Sequence, residues 1–220
     1  MGDSTFLAEK NGIEQNIIRV ILARLETTLG PALAHELARK AHEARSAAGP
    51  AEPGRLASAS IGAAASGEPM TILTRRRLEA EVIKWFFRAI AEEAGQAQAE
   101  AIIGEAVADD AREAGRSQAA LLQGRTDLAT FAEILPKWSE GGATVLTVLE
   151  SSAQKLRYQV TRCLYAEMYQ ELNMRELGFH LSCRRDAAFM EGYAPGVELT
   201  RTMTIMTGGK ICDFSYEKVR

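Results

Sequence analysis

The chain has 220 residues, enough for one full domain with an appendage. Its 46% apolar and 25% charged residues are ordinary for a soluble globular protein, and a net charge of −3 gives no pull toward nucleic acid or an anionic membrane. No apolar run reaches transmembrane length and the first residues lack a secretory pattern, so a cytoplasmic location with reduced cysteines is expected.

Ile13, Ile17, Ile21, Leu25 and Leu29 recur every four residues and predict an amphipathic helix, broken at Gly30-Pro31. Leu33, Leu37 and Ala41 mark a second helix ending near Ala48. Residues 1–48 are thus expected as an accessory helical hairpin. Its Ile-rich face needs a cover, and a second copy of the chain is one way to supply it. Residues 49–70 are rich in Ala, Gly, Ser and Pro and read as a linker. A main α+β domain, 71–220, follows. Thr74 is placed to cap a helix carrying Leu78, Val82, Phe86 and Ile90, ending at Gly95. The next helix, with Ile102 and Val107, fades toward Gly115. Laying Gly30 on Gly95 aligns Ile17 with Val82, Leu25 with Ile90 and Leu37 with Ile102. This is a weak internal repeat, which two Ala-rich helical hairpins also produce by composition alone.

Asp127 starts a short helix through Phe131 and Leu135. After Gly141-Gly142 the period changes to two: 144–149 and 156–162 form a β-hairpin across Ser151-Ser152-Ala153-Gln154. Helices follow near Tyr165–Leu172 and from Leu177 through Ala188. A second hairpin is expected to turn at Gly208-Gly209, which pairs Met206 with Ile211, Thr204 with Asp213 and Met203 with Phe214. The fold class is therefore α+β: N-terminal helices packed with a mostly antiparallel sheet built from two β-hairpins.

Parity in that hairpin puts Arg201, Met203, Ile205, Cys212 and Phe214 on one face and Asp213 on the other. Arg162 likewise ends the apolar row Leu156, Tyr158, Val160. A guanidinium on an apolar face needs a carboxylate, either an internal aspartate or that of a substrate. His180, Cys183 and Asp186 fall on one helical stripe, a set able to serve as nucleophile and base or as part of a metal site. Each of these residues alone is more often a packed thiol or a hydrogen-bonded surface group. Phosphate-loop, dinucleotide and zinc-protease signatures are absent from the sequence.

Taken together, Arg162-Cys163-x-Tyr165-Ala166-Glu167, Leu181-Ser182-Cys183-x-x-Asp186, Glu191-Gly192-x-x-Pro195, Arg201-Thr202-x-Thr204-Ile205-Met206-x-Gly208 and Cys212-Asp213-Phe214 resemble the L-2-amino-thiazoline-4-carboxylic acid hydrolase family. Leu73-Thr74-Arg75-Arg76-Arg77-Leu78-Glu79-Ala80 is similar to the start of that family's domain, and the likeness spans about residues 71–217. One loop departs from it, reading Gly192-Tyr193-Ala194-Pro195 where the family pattern has Gly-Phe-Asn-Pro.

The resemblance implies a hydrolase that opens a small cyclic amidine, amide or imide at a carbon–nitrogen bond, with no cofactor required. It casts Cys183, Asp186 and Asp213 as catalytic. Arg162, Tyr165, His180, Tyr193, Arg201 and Cys212 become substrate-binding. Arg184, Arg185 or His180 would favour the Cys183 thiolate. Three alternatives stand beside this reading. One is a divalent metal ion held by Cys183, Cys212, Asp186 and Asp213. Another is a non-catalytic small-molecule binding or sensing domain. The third is a helical adaptor working through residues 1–48. The expected partners are a small-molecule substrate and, through the N-terminal helices, a second copy of the chain.

Overall fold

In the computed structural model the described residues are 2–49 and 70–219, with side chains described from residue 10. The expected linker, apart from Gly49 and Met70, lies outside them. The chain divides into two compact units, Met1–Val107 and Ala108–Arg220.

The first unit is helical. Helices α1 (Gly2–Leu29), α2 (Pro31–Ala48) and α3 (Ile72–Ala94) pack on one another, and α4 (Gln96–Leu121) begins there. Ile17, Ile21 and Leu25 of α1 are fully buried, as are Leu37 of α2 and Ile90 of α3. The Ile-rich face of α1 is therefore covered within the chain, by α2 and α3.

Helix α3 starts earlier than the sequence suggests. The Thr71 side chain accepts the Thr74 N–H at 3.2 Å, while Thr74 itself is buried. Ile72 and Leu73 are good enough helix formers to be included once Thr71 caps them.

The two glycine breaks share one geometry. Gly30 has φ 83° and ψ 157°, and Gly95 has φ 88° and ψ 158°. Each glycine donates its N–H to the carbonyl four residues before it and accepts the N–H four residues after it. The aligned helix pairs thus share a joint that only glycine adopts without strain.

In the second unit, Asp127 caps α5 (Leu128–Ile134) by accepting the Thr130 N–H at 3.0 Å. A 3₁₀ segment (Leu135–Gly142) then leads into β1 (Thr144–Ser151) and β2 (Lys155–Cys163). Helix α6 (Leu164–Glu171) follows. A second helical stretch is made of α7 (Arg175–Gly178), a π turn (Phe179–Cys183) and α8 (Arg184–Tyr193). Strands β3 (Val197–Thr200) and β4 (Cys212–Lys218) complete an antiparallel four-stranded sheet of order β1-β2-β4-β3.

One sheet face, bearing Leu156, Tyr158, Val160, Cys212, Phe214 and Tyr216, is buried against Phe131 of α5 and Met190 and Tyr193 of α8. Helix α4 continues past Gly115 because that glycine is a packing residue. A Cβ there would stand 2.1 Å from the Phe189 carbonyl oxygen, and one at Gly192 would stand 2.0 Å from that of Arg112. Helices α4 and α8 meet backbone to backbone.

The tight second hairpin does not form. Leu199 lies opposite Tyr216, where a Gly208-Gly209 turn would have put Lys218. Strand β3 ends at Thr200, and residues 201–211 make a wide loop. Its cause is local. The Asp213 carboxylate takes the Thr202 N–H at 3.0 Å, the Met203 N–H at 2.6 Å and the Thr202 hydroxyl at 2.6 Å. These amides would otherwise have joined a ladder. Thr204 then caps a 3₁₀ turn (Ile205–Thr207) by accepting the Thr207 N–H at 3.2 Å. The register change is an even number of residues, so Arg201 keeps the side of the sheet that parity assigns it.

Candidate functional site

Arg201, at the start of the wide loop, projects over the apolar face of β4. Its Nη1 donates to Asp186 Oδ2 at 2.5 Å, and its Nη2 donates to the Cys183 carbonyl oxygen at 2.9 Å. The guanidinium lies 4.9 Å from the Phe214 ring centroid and 5.9 Å from that of Phe179. Only 8% of the Arg201 side chain is exposed, against 30% for Asp186. Burial works against the Arg201 charge, but the adjoining Asp186 carboxylate more than restores it, so the guanidinium stays firmly protonated.

The structure therefore brings Cys183, Asp186, Arg201 and Cys212 into one cluster, and its arginine meets an internal carboxylate. Tyr158 and Tyr216 are part of the buried floor beneath it. Burial, the neighbouring tyrosine and the Asp186 charge keep the Tyr158 hydroxyl protonated.

The π turn supplies the Cys183 contact. In such a turn the i to i+5 pattern shifts the helix face by one residue. Arg185 is drawn the other way. Its Nε donates to the Leu181 carbonyl oxygen at 2.9 Å and its Nη1 to Asp110 at 2.7 Å. The cation that acts on the Cys183 thiol is Arg201; burial first, then the Asp186 charge, outweigh it and push the thiol well up. Cys212 is raised by burial too, and its sulfur accepts the Ile205 N–H at 3.2 Å. His180 lies on the π turn, 6.0 Å from Phe179 between ring centroids.

The remaining predicted site residues lie elsewhere. Asp213 faces the opposite side of the sheet and holds the loop. Burial raises its carboxyl, but the Thr202 and Met203 donors outweigh that and hold it below the usual carboxylate range. Tyr165 donates its hydroxyl to the Trp138 carbonyl at 3.1 Å, and Tyr193 donates to that of Arg125 at 3.4 Å; both rings are buried. Arg162 is 60% exposed and pairs with Glu167 at 3.2 Å.

Arg162 lines a concavity of about 250 Å³ with Cys163, Glu167, Gln170, Arg175 and Lys210. Burial pushes the Cys163 thiol up to about 11, opposed by N–H donors of α6 at Ala166 and Tyr165. Sequence reasoning missed Arg175 and Lys210, which carry no motif signal, and Tyr216 of the floor, although it had Tyr158 in the apolar row of β2. Extending the Cys212, Phe214 parity along β4 by two residues would have found Tyr216. All three cysteines are free. Among the described residues no group of three or more His, Cys, Asp or Glu side chains is placed to hold a metal ion. No described helix is long and apolar enough to cross a membrane.

The L-2-amino-thiazoline-4-carboxylic acid hydrolase family model matches residues 75–216. No curated protein matches. A crystal structure of an Fe(II) unliganded H-NOX protein from K. algicida is similar at 11% identity, over 93% of this chain and 95% of that one, with a TM-score of 0.45. That likeness is too slight to bear on function.

Proposed function

The chain belongs to the L-2-amino-thiazoline-4-carboxylic acid hydrolase family, and on that premise we propose that it opens a small cyclic amidine, amide or imide at a carbon–nitrogen bond. A 2-amino-thiazoline carboxylate is the type of substrate. The observation that carries this reading is the meeting of Cys183, Asp186 and Arg201 within the family segment.

In the reaction, a nucleophile adds to the ring carbon between the heteroatoms. The ring carbon–nitrogen bond then breaks, and the departing nitrogen takes a proton. Water supplies the oxygen of the carbamoyl product. The partly exposed Asp186 receives the amidinium. Its arrival offsets the negative charge that helps raise the Cys183 thiol, leaving Arg201 to favour the thiolate. Cys183 then attacks that ring carbon when substrate is present, its thiol proton passing to the departing ring nitrogen. Water next adds to the Cys183-bound carbon and expels the Cys183 sulfur, which regains a proton from that water. Asp213 acts as a positioning residue, fastening the segment that carries Arg201. No cofactor enters this scheme.

A panel of cyclic amidines and imides, assayed for ring opening, tests the reading. Turnover of at least one member by the full chain, lost in Cys183→Ala and Asp186→Asn with the fold intact, is expected. A panel left wholly unopened ends the enzyme reading. A second reading, a binding or sensing module, is favoured by the raised Cys183 thiol and the internal partner of Arg201. It requires saturable ligand binding that survives Cys183→Ala, without turnover.

A further inference from the structure

The geometry points to the concavity beside Cys163 as a carboxylate-recognition site, in which Arg175 and Lys210 together hold the anion of a small ring compound. Three cations and one carboxylate line it: Arg162, Arg175 and Lys210 against Glu167. Glu167 is engaged by Arg162 at 3.2 Å. Among the described residues, the side chains of Arg175 and Lys210 have no ion-pair or hydrogen-bond partner.

Two uncompensated cations at one concavity favour an anion, and a guanidinium suits a carboxylate in particular. Pockets for drug-sized ligands run to about 300–1,000 Å³. At about 250 Å³ this one suits a ligand of amino-acid size.

The walls are fixed by close packing. A Cβ on Gly178 would stand 2.4 Å from Met206 Sδ, so the 3₁₀ turn seats directly on α7. Gly208, at φ +99°, brings bare backbone near the Arg175 guanidinium, whose Nη2 lies 3.9 Å from the place a Cβ would take. That is ordinary contact distance; it is the positive φ that makes a side chain at 208 strained. Arg201 is a poor alternative clamp, because Asp186 and the Cys183 carbonyl already occupy its fork.

The preference for a ring carboxylate rests on the hydrolase reading; the anion site itself does not. The site is tested on the full chain with 2-amino-thiazoline-4-carboxylate and with 2-amino-thiazoline, which lacks the carboxylate. Binding is followed by calorimetry, and occupancy by protection of Cys163 from iodoacetamide, read by mass spectrometry. The carboxylate is expected to bind, to slow Cys163 labelling several-fold, and to lose at least tenfold in affinity in Arg175→Gln/Lys210→Gln. The ring without carboxylate is expected to bind at least tenfold more weakly to the wild type and to be indifferent to the double variant. Both substituted side chains are exposed, so the fold should survive, as circular dichroism would verify.

Undiminished affinity in the double variant, unprotected Cys163, or no binding to the wild type would overturn the site. Ring opening retained by the double variant at unchanged KM also counts against it, while leaving the hydrolase reading intact. Binding and protection without any turnover would overturn the hydrolase reading and leave the site standing.

Discussion

Arg201 and Lys210 stand near opposite ends of one loop, and their surroundings differ in kind. Arg201 is enclosed, with a carboxylate at 2.5 Å, a carbonyl at 2.9 Å and the faces of Phe179 and Phe214 around it. Lys210 faces solvent beside Arg175 at the rim of a concavity. A buried ion pair costs desolvation and recovers it through mutual attraction, leaving little charge to offer a ligand. Exposed cations without partners keep their field available, though salt screens it. The enclosed end is therefore built to hold shape and tune Cys183. The open end is built to meet something negative.

The largest test of this contrast is Arg201→Ala. It strands the Asp186 charge and should cost roughly 3 kcal/mol, the low end for a broken buried pair because Asp186 is partly exposed. Urea denaturation measures it, and a loss comparable to that of Arg175→Ala would erase the distinction. Gly178→Ala comes next. Its methyl meets the buried Met206 at the seat of the loop, and overpacking of this kind costs about 1–3 kcal/mol. A thermal melt with no shift would mean that Met206 is free to move.

Asp213→Asn should cost less, on the order of 1 kcal/mol after allowing for solvent, since a neutral amide weakens three charge-assisted bonds. The sign with pH is fixed by the lowered folded value. Asp213 contributes stability above its ordinary value of 3.8, and that contribution fades as pH falls through the lower folded value. Acid titration of wild type and variant should therefore converge below that range. The smallest effect is in thiol labelling: Cys163, half-buried and raised to about 11, should react before Cys183, whose thiol is pushed higher. Iodoacetamide labelling across alkaline pH gives the order.

Much of this was legible in the chain. The four-residue spacing from Ile13 to Leu29 fixed the first core, and the alternation along 156–162 fixed the central strand, because both patterns report burial directly. Parity put Arg201 on the apolar side even though the tight turn was wrong. Its failure traces to Asp213, whose capture of two backbone amides is a side-chain event that strand propensity does not register. Arg162 shows a different limit. It continues an apolar row by counting, but the sheet's buried face ends before it, at Val160. Arg175 and Lys210 meet only after the wide loop has formed, so their distance in sequence hides them.

The π turn at Phe179–Cys183 has one further consequence. It holds an extra residue in an otherwise regular helix, as an insertion would. Each helical residue accounts for about 100° of rotation. Removing Ser182 would therefore restore an ordinary helix and swing the preceding stretch, with His180 and Phe179, about a quarter-turn away from Arg201. A single codon separates a helix that encloses the guanidinium from one that leaves it without its Phe179 cover.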